Sequence, residues 1–227
     1  MKINPSENLH KKTPSFQSRN AEIRFADDIL RRANQEFPRI STSRLIDTFY
    51  KKDISPAQKK YIISLNEAFK YTKRNIPNPV FKPDEYAKAL LDFMKKYKAG
   101  NCGESATLGK IALAINGVES IKVGLYGYAS KNISTNLDYA FNIVNLDKNA
   151  DLSRYETFGK KAYVVNLWNC SVDYVHNAFK KFELEYAKDK RMPMIKTFGI
   201  KVRDFEISPE TLKEIEHTFP NLKINKK

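Results

Sequence analysis

The sequence predicts an α+β protein in which helices come first and an antiparallel sheet follows. Residues 21–98 place apolar side chains at the three-to-four spacing of amphipathic helices, and proline or glycine closes the runs. After Gly100 the pattern passes through one more helix into short β-rich runs, two of which alternate apolar and other residues. Helices and strands segregated along the chain are the mark of α+β architecture. With 14 Phe, 12 Tyr and 41% apolar residues in 227 positions, the chain can bury a real core, which excludes wholesale disorder.

Residues 1–20 are polar, hold two prolines and show no periodicity, so they read as a flexible tail. Ile23, Ala26, Ile29, Leu30, Ala33 and Phe37 then form a helical stripe that Pro38 ends. Ser41 or Thr42 can cap a second helix carrying Leu45, Ile46, Phe49 and Tyr50. Ser55-Pro56 has the cap-then-proline form of a helix start and leads into Ile62, Ile63, Leu65, Ala68, Phe69 and Tyr71, closed by Pro77 and Pro79. A fourth helix runs from Pro83 to Lys98, with Ala87, Leu90, Leu91, Met94 and Tyr97 on one side, and Gly100 stops it. Residues 21–98 are therefore a helical region, and 99–227 an α+β core with a terminal helix. In that core a helix spans Cys102 to Asn116, and strands fall within Ile121–Tyr128, Ala140–Leu146 and Ala162–Trp168. The polar, turn-like stretch 148–161 makes the strands it joins antiparallel neighbours. A further strand is expected over Ile200–Ile207, and Ser208-Pro209-Glu210 opens the last helix, with Leu212 and Ile215. Tyr126, Tyr128 and Phe141 read as sheet core.

Net charge is +14, and residues 1–100 hold 21 Lys/Arg against 11 Asp/Glu. A basic half suits an acidic partner, whether nucleic acid, a membrane surface or an acidic protein; it also describes solvated helix faces. The basic runs are pairs such as Lys51-Lys52 and Lys59-Lys60, shorter than a basic-patch motif. There is no nucleic-acid-binding motif, so nucleic acid ranks last among the partners. No run approaches the ~18 apolar residues of a membrane helix, and the first thirty residues lack the apolar stretch of a signal peptide. The expectation is a cytoplasmic, effector-like protein without a membrane span, with secretion by a non-classical route as the alternative. Cys102 and Cys170 do not form a disulfide framework. His10, His176 and His217 lack metal-ligand spacing, so neither metal nor cofactor is expected.

The chemically informative stretch is Ala99-Gly-Asn-Cys-Gly-Glu-Ser105. A cysteine in the first turn of a helix feels about half a positive charge, which favours a thiolate. The unpaired N–H groups there, at Cys102 and Gly103, can donate to an oxyanion beside the sulfur. Gly103 lets a substrate backbone approach, and Glu104 suits a helix cap. The competing reading is a compact buried thiol at a helix start.

Two later segments bear on that choice: Asp138-Tyr-Ala-Phe141 and Val164-Val-Asn-Leu-Trp168. With Gly100-Asn-Cys-Gly-Glu104 they resemble, in order and in element type, the papain-like/transglutaminase-like superfamily of cysteine enzymes. The resemblance covers roughly residues 98–170. The family pattern is a GNCGE-type nucleophile, a strand beginning Asp-His-(Ala/Val)-Phe and a strand of Val-Val-Asp-x-Trp type. All three segments fall within about 65 residues, a transglutaminase-like spacing rather than the long one of papain and cathepsins. The resemblance implies amide chemistry on peptides or proteins, as in a peptidase, deamidase or acyltransferase. It also implies Cys102 as nucleophile, position 139 as base and position 166 as the residue that orients the base.

Two of those positions depart from the pattern. Asn166 stands where the family has Asp, and an Asn can still orient an imidazole. Tyr139 stands where the family has His, and a phenol with a pKa near 10 is a poor base at pH 7. Loss of a triad base commonly costs several orders of magnitude in rate. The sequence thus points to an impaired cysteine enzyme. The alternative is a pseudoenzyme that binds peptide or protein partners through the old cleft. His176, eight residues beyond Trp168, is the candidate substitute base. Cys170 is read as a resolving thiol or an inert one, and Trp168 as a family position or a core indole.

Overall fold

The computed structural model describes residues 21–38, 55–130, 133–186 and 195–224. The expected tail with His10, the helix expected over Ser41–Tyr50, and the side chains of Ala68, Phe69 and Tyr71 lie outside the described residues. The elements, in order, begin with four helices, α1 (Ala21–Glu36), α2 (Pro56–Asn75), α3 (Pro83–Tyr97) and α4 (Cys102–Ile115). Strands β1 (Ile121–Ser130), β2 (Ile133–Val144), β3 (Tyr163–Asn166) and β4 (Ser171–Tyr174) follow, with a 3-10 turn at Tyr155–Thr157. Helix α5 (Val175–Tyr186), strand β5 (Thr197–Val202), helix α6 (Pro209–Thr218) and a 3-10 turn at Pro220–Leu222 complete the chain. The strands make one antiparallel sheet in the order β4-β3-β2-β1-β5. The chain is therefore α+β, as its periodicity predicts.

Helix α4 is mostly apolar beyond its first turn, with Lys110 at its edge paired to Asp204, and is buried along most of its length, from Glu104 to Gly109 and again at Ile111–Leu113 and Ile115. A helix so largely apolar belongs inside a core. It lies between the sheet and helices α1, α3 and α6. Ile29 and Leu30 of α1, Leu90 and Met94 of α3, Leu108 and Ile111 of α4, and Val144 and Val165 of the sheet form one apolar cluster. That cluster runs unbroken across residue 98. On the opposite face Phe141, Ile143, Val164 and Ile200 pack with Phe158 and with Phe179 and Phe182 of α5. Neighbouring residues such as Val164 and Val165 enter different clusters because side chains alternate across a strand.

Several boundaries differ from those the sequence suggests. β3 stops at Asn166, and residues 167–170 turn the chain, with Cys170 in the left-handed region at φ 51°. Trp168 therefore sits in a turn and not in a strand. β5 covers Thr197–Val202 in place of 200–207. Helix α5 is additional, although its buried stripe Val175, Ala178, Phe179 and Phe182 has helical spacing. Tyr128 and Phe141 are core residues. Tyr126 is half-buried and lies beneath Lys201, whose Nζ is 4.6 Å from the ring centroid, and Arg203. Among the described residues no helix is long and apolar enough to cross a membrane.

One irregularity positions the site. The β1–β2 register passes from Gly124↔Ala140 to Tyr126↔Asn136, so Leu137, Asp138 and Tyr139 all stand opposite Leu125. Asp138 adopts φ 50°, and its N–H donates to Asn136 Oδ1 at 3.1 Å. Such a bulge bends its strand and re-aims the residues it carries.

Close packing against β5 gives a test of the fold. A Cβ at Gly199 would sit 2.6 Å from the carbonyl carbon of Ser153, which is backbone and cannot swing away. Gly199→Ala is expected to cost about 2–3 kcal/mol, read as a lower midpoint in urea at unchanged slope. Gly103→Ala, where a Cβ meets nothing within 4 Å, should leave the midpoint unchanged or slightly raised.

Candidate functional site

Cys102 is the first residue of α4, and Asn101 is its N-cap. This helix end is half-buried at Asn101, Cys102 and Gly103, so part of its N–H capacity is met by the protein itself. Glu104, only 7% exposed, turns its carboxylate back to accept the Asn101 N–H at 2.9 Å, the carboxylate half of a capping box. The half-buried Cys102 thiol meets the bulge of β2. Its Sγ lies 3.5 Å from the Asp138 carbonyl oxygen, and Ala140 supplies a backbone hydrogen bond to the sulfur. The residues on either side of Tyr139 thus both touch Cys102.

Tyr139 reaches across to β3. Asn166 Nδ2 donates to Tyr139 Oη at 2.8 Å, and Asn169 Nδ2 approaches the same oxygen at 3.4 Å. Asn166 is 1% exposed, and its Oδ1 accepts the Trp168 N–H at 3.1 Å. Both ends of this amide are used, so its orientation is set. The β2–β3 ladder ends at Asn142↔Val165, one residue short of Asn166. The Tyr139 ring packs edge-on to Phe182, with centroids 5.5 Å apart. Tyr139 and Asn166 are thus hydrogen-bonded to each other, and Cys102 meets the backbone on either side of Tyr139. The Tyr139 ring packs on the α5 side, and among the described residues no hydrogen bond joins the Cys102 sulfur to either side chain.

Electrostatics works against a thiolate here. Burial pushes the Cys102 thiol above its ordinary value, the Ala140 hydrogen bond only partly offsets this, and the carboxylates of Asp138 and Glu104 push it further up. Desolvation is the largest influence on this thiol, and it opposes the helix-end charge that the sequence alone would credit with activating the sulfur. Burial likewise raises Tyr139 to about 12, against the lowering effect of the Asn166 hydrogen bond. At neutral pH both groups keep their protons.

The other candidates sit elsewhere. His176, near the start of α5, is exposed, and its ring lies 6.0 Å from Tyr155, which packs in the α5-side cluster. Among the described residues no hydrogen bond or ring contact joins it to Cys102, Tyr139 or Asn166. Cys170 receives Asn34 Nδ2 at 2.8 Å and so meets α1. Both cysteines are free thiols. Among the described residues no group of three or more His, Cys, Asp or Glu is placed to hold a metal.

Sequence reasoning missed the polar cluster behind the first turn of α4. Lys122, 8% exposed, points from β1 toward α4 and donates to Thr107 Oγ1 at 2.7 Å. Thr107 in turn donates to the Gly103 carbonyl at 3.1 Å. Burial pulls the Lys122 ammonium down to about 8, with Glu104 and Asp204 pulling it back up. Nothing but strand alternation marks Lys122 in the sequence, since a lysine between Ile121 and Val123 reads as a solvent-facing residue. Beside this cluster opens a pocket of about 350 Å³, walled by Ile76, Pro79, Tyr86, Leu90 and Phe93, with Glu104 at one end.

No protein-family model matches this chain, and the searches of curated proteins and of solved structures also find no match.

Two measurements check this electrostatic picture. In a Cys170→Ser background, with Cys102→Ala as blank, the rate of iodoacetamide alkylation should reach half-maximum above the ordinary thiol value of about 8.5. A midpoint below that value would show the helix end winning over burial. For Lys122, the folded value of about 8 lies below the ordinary 10.5. The penalty for burying the cation is therefore complete below pH 8 and is relieved as pH rises toward 10.5. Urea denaturation should show the chain gaining stability relative to Lys122→Met between pH 8 and 10, and a flat difference would contradict a buried ammonium.

Proposed function

We propose that this chain is a transglutaminase-like/papain-like cysteine protein directed at peptide or protein amides, with turnover suppressed at the base position. The observation that carries this reading is the linkage from Cys102, at the buried start of α4, through the β2 bulge at Asp138–Ala140 to Tyr139 and on to Asn166. The expected nucleophile, base and orienting positions, from α4, β2 and β3, are linked there through the β2 backbone.

The geometry also supports the suppression. In an active triad a neutral base takes the thiol proton as sulfur attacks the carbonyl carbon, then returns it to the leaving amine. Tyr139 Oη is a protonated phenol that accepts the Asn166 amide. It can donate its own proton to a carbonyl oxygen, but the oxygen of a neutral phenol is too weak a base to draw one from sulfur. Asn166 holds the phenol oxygen in place through its Nδ2–H. The N–H groups of the first turn of α4 would still be available to polarise an amide laid over Cys102. A cleft that binds a carbonyl without completing proton transfer suits a binding protein descended from an enzyme, and the raised Cys102 thiol favours that version.

Restoring the base tests the proposal. Tyr139→His, alone and with Asn166→Asp, is expected to raise hydrolysis of p-nitrophenyl esters and peptide p-nitroanilides by about 10²–10⁴, and a further Cys102→Ala should abolish the gain. Circular dichroism of each variant checks folding. Wild-type turnover that survives Tyr139→Phe and vanishes with Cys102→Ala would overturn the suppression, and a folded double variant with no gain would count against the triad reading.

A further inference from the structure

We propose that the pocket between the 76–79 loop, α3 and the first turn of α4 receives one neutral apolar side chain, of Leu or Phe type, from an extended peptide segment of another protein. This rests on the proposed function and adds the substrate-side chemistry.

Size and lining come first. The volume of about 350 Å³ lies at the small end of ligand sites and exceeds the roughly 150 Å³ that holds a benzene ring, so a Leu or Phe side chain fits with room for the backbone that carries it. Ile76, Pro79, Leu90, Phe93 and the Tyr86 ring make the wall apolar.

Charge then selects among side chains. Glu104 already accepts the Asn101 N–H at 2.9 Å. The Lys122 ammonium, held by Thr107 on the same helix, counters its charge. An arriving cation would meet the field of Lys122, and an arriving anion that of Glu104. Either would give up its hydration for a site already balanced. A neutral apolar group loses least.

The mouth argues for a peptide over a small molecule. Val80 and Phe81 are 74% and 79% exposed although their backbone is fixed. Asn78 Oδ1 accepts the Val80 N–H at 2.9 Å, and the Asn78 carbonyl accepts from Phe81 at 3.1 Å and Lys82 at 2.9 Å. Apolar side chains held rigidly in water beside an apolar pocket extend the same contact surface. A ligand confined to the pocket leaves them uncovered, whereas a chain anchored in the pocket can lie over them. Exposed Arg74 and Lys82, the latter paired with Glu85, flank this loop, so acidic residues beside the anchor complement it. Glu104 ties the pocket to the first turn of α4, the turn that begins with Cys102.

The full chain carrying Cys102→Ala, labelled with ¹³C at Ile and Leu methyl groups, tests this by NMR. The probes are the pentapeptides Ac-Glu-Gly-Xaa-Gly-Glu-NH₂ with Xaa Phe, Leu, Lys or Glu, and N-acetylphenylalaninamide. The Phe and Leu peptides should shift the Ile76 and Leu90 methyl signals and bind about tenfold or more tightly than the Lys and Glu peptides. N-acetylphenylalaninamide should bind more weakly than the Phe peptide. Phe81→Ser should weaken the peptide severalfold and leave the amide unchanged. Ile76→Trp should fill the pocket and abolish the shifts, with the Ile200 signal in the far cluster reporting an intact fold. If Ile76→Trp disturbs the Ile200 signal, the peptide series and Phe81→Ser decide alone. Absence of shifts with the Phe and Leu peptides, affinity independent of Xaa, or equal affinity for the amide and the peptide would each overturn the proposal. Cys102 is absent from this experiment, so pocket binding and the gain of turnover by Tyr139→His can fail independently.

Discussion

Burial of α4 along most of its length is the constraint from which the site follows. Ala106, Leu108, Ile111, Ala112, Leu113 and Ile115 are buried, and the helix is packed between α1, α3, α6 and the sheet, with half-buried Lys110 at its edge paired to Asp204. Enclosure brings its polar first turn partly inside with it. A buried donor there needs an internal acceptor, because an unpaired buried N–H costs about 1–3 kcal/mol. Glu104 meets that need at Asn101. A buried carboxylate in turn calls for nearby positive charge, and Lys122 from β1 supplies it while donating to Thr107. The side of α4 facing β2 is managed in the same way. The fully buried Asn142 donates to the Ala106 carbonyl at 2.8 Å, and Gly109 leaves that amide its space.

The same enclosure decides the chemistry available to Cys102. A helix N-terminus favours an anion by roughly 0.3–1 kcal/mol when exposed, whereas desolvating a thiolate costs more. The sulfur therefore stays protonated between the Asp138 carbonyl and Ala140. Tyr139 is held under the same rule, its hydroxyl raised by burial and fixed by Asn166. What results is a pair of neutral hydrogen-bonding groups at a helix end, an arrangement suited to holding a carbonyl oxygen and ill suited to moving a proton. On the proposed reading, one substitution at the base position converts a cleft built for turnover into one built for binding.

The helices at the N-terminal end do more than shield α4. α3 contributes Tyr86, Leu90 and Phe93 to the pocket beside the first turn of α4, and the loop leading into it presents Val80 and Phe81. α1 closes the other side, where Asn34 meets Cys170 in the β3–β4 turn. The site is thus framed by parts of the chain far from the three motif segments, and its neighbours come from the helical half.

Local pattern alone determined much of this protein. Apolar spacing located α1, α3 and α4, proline and serine marked the starts of α2 and α6, and alternation located the middle of the sheet, because each of these signals is set by residues within one or two turns. The three motif segments that carry Cys102, Tyr139 and Asn166 are likewise short runs, legible without any knowledge of packing. The rest was decided by tertiary structure. The bulge that lays Asp138 and Ala140 against Cys102 depends on register between two strands, to which a single strand's sequence is blind. Lys122 looks like a solvent-facing residue until α4 covers it. The protonated state of Cys102 is a balance between a local helix-end charge, visible in the sequence, and desolvation by residues tens of positions away, which exists only once the chain is packed.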